Sequence, residues 1–205
     1  MEMKQVPSSA AWAGGAFCLA AVLAGTALSI FGTGTSGLGR AFQITMRFSF
    51  LLFWLAYAGG AMKTLFGTGF QTIAWLGRDF GLAFASAQLV HVGLAVWLYR
   101  MMNELPLSRP LLMFYIIAVI WTYLLSLLSI HRVALALGHL RWRILRVAGM
   151  EFISFSFLLY FLNHPHYGTI GGLAFYAPFA TMSLLGTFLR LAAWASRGAT
   201  VTKSA

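Results

Sequence analysis

Residues 78–100 read RDFGLAFASAQLVHVGLAVWLYR, in which the twenty positions 80–99 hold no Asp, Glu, Lys or Arg. At about 1.5 Å per helical residue such a run spans about 30 Å, the thickness of a bilayer's hydrocarbon core. The stretch reads as a transmembrane helix with an ionisable side chain, His91, well inside it. Hydrocarbon disfavours such a group, so an imidazole there calls for a partner or a function. It either hydrogen-bonds between helices or ligates a metal; imidazole is a common axial ligand of haem iron.

Working outward, five more segments have the length and apolar character of a span, giving 10–31, 48–66, 80–101, 110–130, 145–162 and 170–194. Irregular backbone is costly in lipid, so each should be helical. The expected fold is therefore all-α, a bundle of six transmembrane helices formed by residues 10–196. Residues 1–9 precede it, and 197–205 follow as a short disordered tail. The first segment follows Lys4, as a signal peptide would, but 10–31 is longer than the roughly 7 to 15 residues of a secretory apolar core. It reads as a spanning helix.

Composition agrees: 60% of residues are hydrophobic and only 9% charged, against roughly 25% charged in soluble domains. The net charge of +10 does not signal nucleic acid, because the basic residues sit at segment ends and form no aromatic-interleaved patch. They set orientation instead. Lys4, Lys63, Arg78, Arg132, Arg141, Arg143, Arg146, Arg190, Arg197 and Lys203 fall on one side, ten of the fourteen. That side, carrying both termini, is expected to be cytoplasmic. Cys18 is the only cysteine, which excludes an intramolecular disulfide and a cysteine metal cluster.

Other polar residues have plainer readings beside their functional ones. Gly32, Gly34 and Gly37 spell GxGxxG, but the motif binds dinucleotides only between a strand and a helix; after a membrane helix it reads as a flexible outer loop. His131 and His139 lie among Arg132, Arg141, Arg143 and Arg146, a connector suited to anionic headgroups or to an acidic partner. His164 and His166 flank Pro165 in an outer loop. Glu151 is the one acid within a span and should be paired, with Arg78, Lys63 or Arg146 as candidate partners. Glu151 and Gly59-Gly60 would also suit a small transporter.

Arg47, Arg78, Gly81-Leu82, His91, Arg109-Pro110, Gly138, Arg141-Trp142 and Leu145 together carry a resemblance. In their order and spacing the chain resembles the ferric reductase-like transmembrane domain superfamily, most closely the haem-binding membrane subunit of the bacterial periplasmic methionine-sulfoxide reductase system. The resemblance covers about two thirds of the chain. It implies six spans in a bacterial inner membrane and haem b held by histidines of the third and fifth helices. It also implies electron flow from a cytoplasmic flavin or nicotinamide reductase to an outer-face acceptor. His91 matches the third-helix ligand. Arg146 and Leu159 stand where the fifth-helix ligands belong, and His164 lies about 10 Å too far along its helix to share the level of His91. Tyr57, Trp121, Phe157 and Met182 are expected near that level. Met182 is the ordinary alternative axial donor, though a methionine there also serves as apolar filling. The expected site is His91 on haem iron, with Met182 or an inward-bent His164 as second ligand, or with His91 alone on five-coordinate haem. The competing expectation is a haem-less descendant acting as a structural or assembly subunit.

Overall fold

The computed structural model describes residues 8–102, 108–129, 138–163 and 170–202, and every regular element in them is helical. In chain order these are α1 (Ser9–Phe31), α2 (Thr35–Phe66), a 3-10 turn (Gly67–Phe70), α3 (Gln71–Trp75), α4 (Gly77–Met102), α5 (Arg109–Leu128), α6 (His139–Leu162) and α7 (Ile170–Thr202). Among the described residues five stretches are long and apolar enough to cross a membrane: α1, α2 running on through α3, α4, α5, and α6 from Leu140. Val22, Ile30, Leu127 and Phe188 are more than half exposed, as side chains facing hydrocarbon would be.

Two helices begin earlier than their apolar runs. The sequence places the second span at 48–66, whereas α2 starts at Thr35, so the first loop shrinks to Gly32–Gly34 and both Arg40 and Arg47 are helical. The sequence starts the fifth span at 145, whereas α6 starts at His139. In both cases no proline interrupts the polar lead-in, and helical hydrogen bonding continues outside the apolar segment. α7 likewise continues to Thr202, into the stretch read as a disordered tail.

The chain divides into two compact units, with one boundary inside α2: Met1–Phe53 with Arg78–Leu107, and Trp54–Gly77 with Ser108–Ala205. In the first unit α1 buries the stripe Ala16, Ala20, Ala24 and Ala27. Ala16 and Ala20 pack on Ala83 and Ala87 of α4, and Ala24 and Ala27 pack with Leu38, Ala41 and Leu94. Small residues at helical spacing let backbones approach, which is how helices associate without a hydrophobic driving force. Ser9 Oγ donates to Asp79 Oδ1 at 2.6 Å and Trp12 meets Phe80 edge-on at 5.4 Å, so α1 and α4 start together and run parallel. The α1–α2 turn depends on glycine twice. Gly32 has φ +80°, and a Cβ on Gly37 would lie 1.8 Å from the Gly32 carbonyl oxygen.

In the second unit α5 and α6 meet at Gly149, where a Cβ would come within 2.7 Å of Trp121. Phe114 of α5 packs on Phe152 of α6 at 4.6 Å, and Phe161 of α6 stacks on Phe179 of α7 at 5.3 Å. Several hydroxyls within the helices are absorbed locally. Thr122, Ser126, Ser129 and Ser156 each donate to the carbonyl four residues earlier, which hides a polar group without a distant partner.

Candidate functional site

α4 presents His91 to α2 inside the first unit. The ring is 5% exposed and lies against the Phe42 ring, with centroids 4.0 Å apart and planes tilted by 33°. Its Nδ1 is 3.3 Å from Thr45 Oγ1. Thr45 also faces the carbonyls of Ala41 at 2.9 Å and Phe42 at 3.1 Å. A hydroxyl has one proton, and the two shorter contacts take it, so Oγ1 offers His91 a lone pair. The imidazole also hydrogen-bonds the main chain of Phe42, so Thr45 and Phe42 together hold the ring against α2.

The register of this seam is antiparallel. Thr45 faces His91, and Phe53 faces Phe84 with ring centroids 5.3 Å apart. Between these two rungs fall Ser49 and Gln88, both buried.

A second polar group lies in the other unit, where α2, α6 and α7 meet at Glu151. Arg190 Nε donates to Glu151 Oε1 at 2.9 Å and the Tyr57 hydroxyl donates to Oε2 at 2.6 Å. The guanidinium carbon of Arg190 stands 4.5 Å over the Tyr57 ring, a cation–π geometry. Thr187 Oγ1 lies 3.2 Å from the Tyr57 oxygen. The sequence reading is corrected here. The partner of Glu151 is Arg190, not Arg78, Lys63 or Arg146. Because α6 starts at His139 and not at 145, Glu151 stands twelve residues into it, about 18 Å from its start. The carboxylate is clamped on both oxygens, an arrangement that ties three helices together.

Met182 is half-buried in α7, in the second unit, and its main-chain carbonyl accepts a hydrogen bond from Trp54 Nε1 at 2.7 Å. Tyr57 is engaged by Glu151, and Trp121 covers Gly149. His131, His164 and His166 lie outside the described residues. Among the described residues no three His, Cys, Asp or Glu side chains gather in a metal-binding group. His91 is thus the one histidine inside a described span, packed on Phe42 and facing Thr45.

Thr45, Trp54, Thr187 and Arg190 carry these contacts and were not singled out by composition or spacing. For Arg190 a signal exists: a cation inside 170–194 needs an anion, and Glu151 is the only acid in any span. No protein-family model, no curated protein and no solved structure matches the chain.

Proposed function

We propose that this chain is a six-span subunit of a bacterial inner membrane, with both termini cytoplasmic, that passes electrons across the bilayer through b-type haem held by His91. The single observation that carries the reading is an imidazole buried in a helix of membrane length and held against α2 by Thr45 and Phe42. When bound, haem supplies a one-electron iron couple whose potential follows axial ligation and burial. Thr45 and Phe42 position the ring, and its burial in the helix seam keeps bulk solvent from it. Electrons would come from a cytoplasmic flavin or nicotinamide reductase docking near the basic start of α6, at Arg141 and Arg143, and leave to an outer-face acceptor.

The contact with Phe42 favours a second reading, a haem-less descendant of the same fold in which His91 is interhelical glue and the chain is an assembly subunit. Haem content separates the two. Full-length protein purified from haem-replete cells should carry haem by the pyridine haemochromogen assay. Thr45→Val should weaken haem retention by about 10- to 100-fold, the usual cost of losing a group that orients a ligating histidine, with the helical circular dichroism unchanged. Haem-free wild type selects the second reading.

A further inference from the structure

The rung between His91 and Phe84 contains an imbalance of polar groups. Ser49 Oγ and Gln88 Oε1 are buried, with no hydrogen-bond partner among the described residues; Ser49 is fully buried and Gln88 7% exposed. Thr45, Thr122, Ser126, Ser129 and Ser156 all return their proton to their own helix, and Ser49 does not. An amide oxygen and a hydroxyl left bare in a membrane helix seam are each costly. Ser49 is one turn beyond Thr45 on α2, about 6 Å along the axis, and Gln88 is three residues before His91 on α4, about 4.5 Å. Because the helices run antiparallel and Phe53 meets Phe84 one turn further on, Ser49 and Gln88 fall on one rung.

We propose that the α2–α4 seam holds a buried water molecule bridging Ser49 Oγ and Gln88 Oε1, one rung from His91. Water suits both atoms at once: it donates to the amide oxygen and either donates to or accepts from the hydroxyl, and buried waters make two to four such bonds. The rung lies between the Phe53–Phe84 ring pair and the His91–Phe42 contact, so an occupant shared by the two polar atoms must be small. The site makes a continuous polar line, Thr45, His91, Gln88 and Ser49, through the interior of the first unit, so that hydrogen exchange reaches the imidazole. The inference needs no haem and stands whichever reading of His91 holds.

Solid-state NMR of full-length protein in liposomes, with magnetisation transferred from water, tests it directly. The Gln88 side-chain amide should receive water magnetisation within milliseconds although it is buried, and Ser49→Ala should diminish that transfer. A Gln88 amide that stays dark in the wild type overturns the proposal. Thermal unfolding gives an independent sign. The Ser49→Ala, Gln88→Met double variant should melt about 3 °C lower if it loses a bound water. A rise or no change means that the rung was dry, because removing two unpaired polar atoms does not destabilise.

Discussion

Gly37→Ala is expected to lower the melting temperature of the detergent-solubilised protein by about 10 °C, corresponding to about 3 kcal/mol or more. The turn between α1 and α2 is only three residues long, and α2 turns back beneath it so closely that the main-chain oxygen of Gly32 occupies the place of a Gly37 side chain. A methyl group there would sit 1.8 Å from that oxygen and 2.8 Å from its carbon. The obstacle is backbone on both sides, so no rotamer change relieves it, and the hairpin must open. That displaces Leu38 and Ala41, which pack against Ala24, Ala27 and Leu94. Gly34→Ala is the control: a Cβ there meets nothing within 4 Å, and the melting temperature should stay within about 2 °C of wild type. Equal melting temperatures for the two variants would remove the close turn from the account.

Arg190→Met is expected to cost about 2 kcal/mol, since it strips a charge-assisted hydrogen bond and leaves Glu151 with the Tyr57 hydroxyl alone. The side chains are 24% exposed at Arg190 and 42% at Glu151, which keeps the cost below that of a fully buried pair. Glu151→Gln should cost less, because the amide oxygen still accepts from one of its two partners. The decisive quantity is the coupling. The double variant should be more stable than the sum of the single effects predicts, by about 1 kcal/mol or more. Chemical unfolding of the four proteins measures it, and strict additivity would show that the 2.9 Å contact contributes nothing.

Hydropathy made the middle of each helix legible and left its ends obscure. The run 80–99 and the segment after Pro110 are nearly pure apolar text, and α4 and α5 lie where those runs lie. Thr35 to Arg47 is a mixture of Gly, Ser, Thr, Gln and two arginines that no apolar window selects. Yet α2 holds it in a helix of 32 residues, about 48 Å long and longer than the hydrocarbon core. Thr45 sits in that mixture, so the side chain that orients His91 was out of view although His91 itself was plain. Arg190 was visible as a charge but read as a topological marker, because its pairing depends on the register between α6 and α7. That register is set by packing, through contacts such as Ser183 Oγ to the Ser154 carbonyl at 3.2 Å, and not by spacing within either helix.

The claim on which the functional reading turns is that His91 is kept inside the membrane in order to hold iron. Its most direct test is the reduced-minus-oxidised absorption spectrum of the full chain, purified in mild detergent from haem-replete cells, beside that of His91→Ala. Wild type should show the Soret and visible bands of b-type haem and the variant should lose them while remaining helical. A featureless wild-type spectrum, or bands that persist unchanged without the imidazole, would contradict it.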